Sequence, residues 1–160
     1  MFSDCFCNDA CELLLPNDVT EIESEAFSGC HNLSSVSLPS KLKILRSYAF
    51  PGCWGLTDIN LPEGLEVIEL GAFDQAHSLE SITIPSTVSK IENYAFRGNY
   101  SMKTVRLLCK PSTLTSIGAD LFIVYQATPV YSTATLYIPK GTYNDYYLTD
   151  FGRFDTIVEE

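Results

Sequence analysis

The sequence predicts a right-handed solenoid with a parallel β-sheet along one face. Three observations carry this. Leu15-Pro16, Leu38-Pro39, Leu61-Pro62 and Ile84-Pro85 recur every 23 residues. Ala26-Phe27, Ala49-Phe50, Ala72-Phe73 and Ala95-Phe96 recur with the same spacing, as do Ile22, Leu45, Ile68 and Ile91. Leu33, Leu56, Leu79 and Met102 complete the pattern, each followed three residues later by Val36, Ile59, Ile82 or Val105. A fixed period of this length marks a stacked-coil architecture, in which each unit buries its apolar side only against its neighbours.

Each part of the unit has a physical reading. Leu33-x-x-Val36-x-Leu38 alternates over its last part, as a short strand with one buried face does. The same stretch returns at Leu56–Leu61 and Leu79–Ile84. Strands this far apart cannot pair through a hairpin, so they return by a crossover and run parallel. The crossover rule makes the coil right-handed. The proline after each strand lacks an N–H and stops the ladder. A polar turn follows, then Val19, Leu42, Leu65 or Val88, then the Ile/Leu and Ala-Phe positions. This outer arm is expected to form a short strand or helical turn. Its Ala lets the backbone pass close, and its Phe fills the space between coils. Gly29, Gly52 and Gly98 then help turn the chain toward the next strand.

The pattern decays toward the C-terminus. Val105-x-Leu107 keeps the strand pattern, and Ile117 through Leu121-Phe122 matches the outer arm after a three-residue insertion. Thr135–Pro139 reads as a further strand, Thr142–Leu148 as a short helix and Ile157-Val158 as a final strand. Phe151 and Phe154 are expected to seal the open end of the core. Near the N-terminus Leu13 and Leu15 hold the strand pattern, and Phe2 and Phe6 are candidates to fold back as a cap.

Composition narrows the partner classes. The chain has 160 residues, enough for one continuous core, and 46% apolar residues, which reads as globular. Its net charge of −10 disfavours nucleic acid and anionic lipid as partners. No run approaches the ~20 apolar residues that span a bilayer, so direct membrane insertion is not expected. Met1-Phe2-Ser3-Asp4-Cys5 has neither a basic start nor an apolar stretch, so no signal peptide is visible. The chain is therefore read either as cytosolic or as a processed or trimmed piece of a longer one. Cys5, Cys7 and Cys11 form C-x-C-x3-C without a fourth ligand nearby, which falls short of zinc spacing. Thiols packed in or around the first coil are the expected alternative.

The repeat from Leu15 to Val36 carries the whole pattern Leu-Pro-x-x-Val-x-x-Ile-x-x-x-Ala-Phe-x-Gly-Cys-x-x-Leu-x-x-Val. In this the sequence resembles the BspA-like, or Treponema-type, leucine-rich repeats, over most of residues 13–122. The tail, with Leu136-Tyr-Ile-Pro-Lys-Gly-Thr142 and Ile157-Val158-Glu159, resembles the C-terminal cap common in that family. The resemblance implies a leucine-rich-repeat solenoid: a partial first coil or N-terminal cap over 1–12, repeats over 13–122 and an α/β cap over 123–160. It also implies a secreted or cell-surface bacterial protein, non-enzymatic, that adheres to a protein or glycan of the host matrix or another cell. The alternative is a structural spacer within a larger repeat protein. For Cys30 and Cys53 the resemblance implies reduced, buried thiols that fill space, although neighbouring coils lie within disulfide range.

Catalysis finds no footing, and no cofactor or metal is expected. His31 and His77 share one repeat column but lie two coils apart, roughly 10 Å, too far to share an ion. No nucleophile set, P-loop or dinucleotide fingerprint is present. The candidate ligand-binding residues lie in columns instead. One column reads His31, Trp54, His77, Tyr100, four rings beside the strands that suit an interface or stacking on a sugar. Rings that merely shield the turn between coils would read the same way. The outward strand positions form two more columns: Glu12, Ser35, Asp58, Ser81, Thr104, and Leu14, Ser37, Asn60, Thr83, Arg106. They describe a shallow polar face of the kind solenoids bind on. Asp58, Asn60, Ser81, Thr83 and Arg106 are its candidate contacts, with a solvated, unoccupied face as the alternative. The outer arm's Glu21, Glu23, Glu25, Glu66, Glu69 and Glu92 read as a solvated face.

Overall fold

The computed structural model describes residues 11–124 and 130–160. In chain order the first coils contain β1 (Cys11–Leu14), β2 (Glu21–Ile22), β3 (Leu33–Ser37), β4 (Ile44–Leu45), β5 (Asp58–Ile59) and β6 (Val67–Ile68). They continue through β7 (Ser81–Ile84), β8 (Lys90–Ile91), β9 (Thr104–Leu107) and β10 (Ser116–Ile117). The tail adds α1 (Val130–Thr133), β11 (Thr135–Ile138), α2 (Tyr143–Tyr146), a 3-10 turn (Asp150–Arg153) and β12 (Thr156–Glu159). Phe2, Phe6, Cys5, Cys7 and the side chain of Cys11 lie outside the described residues.

Among the described residues all strand pairing is parallel, as the period requires of the repeats. Strands β2, β4, β6, β8 and β10 form one five-stranded outer sheet. The strand face on the other side is divided into a β1-β3-β5 sheet and a β7-β9-β11-β12 sheet. Each coil bends at three corners closed by local backbone bonds. The proline that stops each strand lends its carbonyl to the first, as Leu42 N donates to Pro39 O at 3.1 Å. The alanine closes the second, Ala49 N to Arg46 O at 3.1 Å. The third precedes the next strand, where Leu56 N donates to Cys53 O at 3.1 Å. Gly29, Gly52 and Gly98 hold positive φ at this corner, and Gln75 holds the same conformation in their column.

The phenylalanines form the spine of the core. Phe27, Phe50, Phe73, Phe96 and Phe122 are buried and stack in succession, with centroids 4.8, 5.5, 5.6 and 5.1 Å apart and planes within 10° of parallel. Beside them runs a backbone track, Phe27 N to Ala49 O, Phe50 N to Ala72 O, Phe73 N to Ala95 O and Phe96 N to Leu121 O, at 2.8–2.9 Å. Cys30 and Cys53 are buried thiols outside any disulfide, and Cys53 Sγ donates to Phe27 O at 3.3 Å. Asn99 occupies the same column two coils on and donates to Phe73 O at 3.0 Å. Cys109 is a third buried thiol, and burial pushes its pKa up to about 11, so it is unreactive at neutral pH.

The tail ends this stack with side chains that replace the missing next coil. Phe122 N, which would donate to the following alanine carbonyl, donates to Tyr131 Oη at 3.2 Å. Asp120 N and Leu121 N donate to the two carboxylate oxygens of Asp150 at 3.2 and 2.8 Å. Tyr131 Oη also donates to Asp150, and Arg153 reaches both Asp150 and Asp120. Burial and the Asp150 carboxylate push the Tyr131 phenol's pKa upward, so it remains a donor. Tyr131 and Phe154 meet the last ring, Phe122, edge-on at 83° and 77°, which ends the parallel stack.

Candidate functional site

The structure brings the four ring-bearing residues into one continuous ladder. His31 lies 3.9 Å from Trp54, Trp54 lies 5.8 Å from His77, and His77 lies 4.8 Å from Tyr100. The first two pairs are near parallel, at 18° and 5°, and the third is tilted by 55°. His31 Nδ1 is anchored on Gly52 O at 2.9 Å. This geometry changes one expectation. Both faces of the Trp54 indole meet imidazoles, so no sugar can stack on them; the ladder presents ring edges. Trp54 and Tyr100 remain 46% and 49% exposed through those edges.

His77 also departs from an ordinary imidazole. Its Nε2 is buried without a hydrogen-bond partner among the described residues, and burial lowers its pKa, partly opposed by the Asp74 carboxylate. A lowered pKa means that the unfolded chain takes up the proton more readily than the folded one. His77 therefore contributes stability that is present above the ordinary histidine value of about 6.5 and is lost as pH falls below it. Urea midpoints measured between pH 7.5 and 5 should fall more steeply for the wild type than for His77→Gln. Parallel profiles would show that this imidazole is not the titrating group.

The strand face holds the other candidates. Glu12 and Leu14 align with Ser35 and Ser37, and Ser35 aligns with Asp58. Ser81 and Thr83 align with Thr104 and Arg106. The sequence columns continue into the tail, where Arg106 aligns with Tyr137 and Tyr137 with Val158. The Arg106 guanidinium carbon lies 4.6 Å from the centre of the Tyr137 ring, and Arg106 pairs with Glu160. Sequence reasoning missed Tyr137 because β9 and β11 align Thr104 with Thr135, outside the 23-residue period. The only available signal was the Leu136-x-Ile138 alternation, which puts Tyr137 outward.

The two columns do not meet between β5 and β7. Among the described residues, no backbone hydrogen bond joins 54–61 to 77–84, although every other neighbouring strand pair on this face is bonded. A cleft of about 220 Å³ opens there, lined by Asp58, Asn60, Glu63, Ser81, Thr83 and Leu108 among others. A second depression of about 240 Å³ lies on its other side and shares Asp58 and Asn60, with Ser35 and Ser37. The outer sheet still joins these coils, with β4 paired to β6. The coils are thus tied on the outer side and parted on the strand face. A larger hollow of about 530 Å³ is lined mainly by apolar core-column residues, Leu15, Val19, Ile22 and Phe27, with Glu21, Glu23 and Ser24 among its polar lining.

Among the described residues no group of three His, Cys, Asp or Glu side chains is placed to hold a metal ion, and no helix is long and apolar enough to cross a membrane.

The repeat geometry has a match in sequence. A model of the BspA type leucine rich repeat region matches residues 1–128 in 6 copies. The chain belongs to this family. No curated protein matches the chain. Among solved structures, this BspA-type chain is similar to a leucine-rich-repeat protein of T. pallidum, with TM-score 0.74 and 23% identity over 99% of this chain and 73% of that one. It is also similar to a leucine-rich-repeat protein of Bacteroides ovatus, with TM-score 0.64 and 26% identity over 93% of this chain and 42% of that one. A leucine-rich cell surface protein of Faecalibacterium prausnitzii matches with TM-score 0.60 and 22% identity, over 93% of this chain and 32% of that one. Such likenesses at low identity speak to the fold.

Proposed function

We propose that this BspA-type chain is a non-enzymatic binding module on the outside of a bacterial cell. Its ligand is a protein or glycan held along the repeat surface. The observation that carries this is the open strand face. The side chains of Asp58, Asn60, Ser81 and Thr83 stand exposed there without hydrogen-bond or ion-pair partners among the described residues, beside the half-exposed edges of Trp54 and Tyr100. Arg106 over Tyr137 supplies the Arg-aromatic pairing common at binding hot spots. The extracellular placement draws on the F. prausnitzii relative, which is described as a cell surface protein.

The test is direct binding. Trp54, the only tryptophan, reports on the ladder edge without labelling. The protein is titrated with host matrix proteins and mucosal glycans, and then Trp54→Ala, Tyr100→Ala and Arg106→Ala are compared. A ligand whose affinity falls in at least one of these variants supports the reading. A ligand bound equally by all three folded variants removes the ladder edge and Arg106 from the site. If nothing binds, the spacer reading takes over, which the partial coverage of the longer relatives favours.

A further inference from the structure

We propose that the parted strands β5 and β7 form a subsite for a linear neutral oligosaccharide, whose successive units occupy the two depressions around Asp58 and Asn60. This rests on the reading of the chain as a binding module and names the ligand class and its place. Elsewhere on the strand face, backbone N–H and carbonyl groups pair with the next coil. Between β5 and β7 they do not, so the cleft carries main-chain donors and acceptors as well as side chains.

The chemistry of the lining selects the ligand. Asp58 accepts only, Asn60 donates and accepts, and the Ser81 and Thr83 hydroxyls do both. Adjacent hydroxyls on a sugar ring donate and accept at neighbouring oxygens, which matches this set. Leu108, 43% exposed at the cleft wall, gives an apolar patch for the C–H face of a pyranose. Each depression is smaller than the 300 Å³ or more typical of sites for drug-sized ligands. That size suits one sugar unit, and the shared Asp58 and Asn60 link two units in line across the coils. Charge disfavours acidic sugars: Asp58 and Glu63 line the cleft, and the net charge is −10.

Spacing argues against insertion of a peptide strand. A third strand between β5 and β7 needs two strand spacings, roughly 9.6 Å. Cα atoms of the two strands still approach within 8 Å. Nor does a cation fit, since no three-carboxylate or histidine group converges among the described residues.

The experiment uses the full chain and a panel of neutral linear oligosaccharides built from glucose, galactose, mannose or N-acetylglucosamine. Sialylated glycans, hyaluronan fragments and host matrix proteins run alongside. Binding is measured by calorimetry, and amide hydrogen exchange is followed over 54–61 and 77–84. The expected result is binding of at least one neutral oligosaccharide, slower exchange in both segments, and affinity lowered about tenfold or more in Asn60→Ala and Thr83→Val, as loss of one or two ligand hydrogen bonds predicts. Both side chains are exposed, so the variants should fold; circular dichroism confirms it. Binding of a neutral sugar at unchanged affinity by both variants overturns the subsite, as does binding of acidic glycans alone. Binding of matrix proteins without any neutral sugar overturns the subsite but keeps the binding-module reading, and binding of nothing removes both.

Discussion

Replacing Phe73 by alanine is expected to cost about 3–5 kcal/mol, the range for removing a buried ring from a packed core. The ring lies between Phe50 and Phe96, 5.5 and 5.6 Å away and nearly parallel to both. Its backbone N–H also ties its coil to Ala95 O at 2.8 Å. Removing the ring leaves a hollow that neither neighbour can fill without moving its own coil. Stability in a stacked-coil protein is a sum over neighbouring contacts, and Phe73 belongs to two of them. Urea denaturation followed by Trp54 fluorescence reads the effect. A loss under roughly 1 kcal/mol would put the ring at the periphery. A marked drop in the slope against urea would show that the coils before and after Phe73 no longer unfold together.

Asp150→Ala is expected to be comparably severe but to act locally. Its carboxylate is 5% exposed and accepts from Asp120 N, Leu121 N, Tyr131 and Arg153. Alanine leaves these donors facing a buried gap, and removing one member of a buried charged network typically costs about 3–5 kcal/mol. Asp150→Asn keeps one acceptor oxygen and should lose less. Hydrogen exchange should accelerate first at Asp120–Phe122 and β11, while β3 and β4 remain protected. Uniform acceleration through all coils would mean that the tail is not a separate latch.

The repeat architecture was legible because a fixed period turns sequence spacing into contact. Phe27, Phe50, Phe73 and Phe96 are 23 residues apart, and each coil delivers the ring to the same place. The ladder His31–Trp54–His77–Tyr100 was legible as a column for the same reason. That its rings would face each other was not, because ring orientation depends on local rotamers and on anchors such as the bond from His31 to Gly52. The parting of β5 from β7 leaves no trace in the sequence, since both coils keep the period without insertion. Asp150 was equally hidden: its main-chain donors lie about 30 residues back, and its side-chain partners Tyr131 and Arg153 stand outside the repeat period.

The way the tail ends the stack bears on how such proteins can change length. Asp150 and Tyr131 reach the last coil chiefly through backbone N–H groups, which every amino acid except proline supplies. The terminator therefore places little demand on the side chains of the unit it closes. A gene segment encoding one whole repeat could be copied or lost upstream of residue 120 without redesign of the end. The length of the solenoid would then be set by unit number, and the same plug would serve short and long versions.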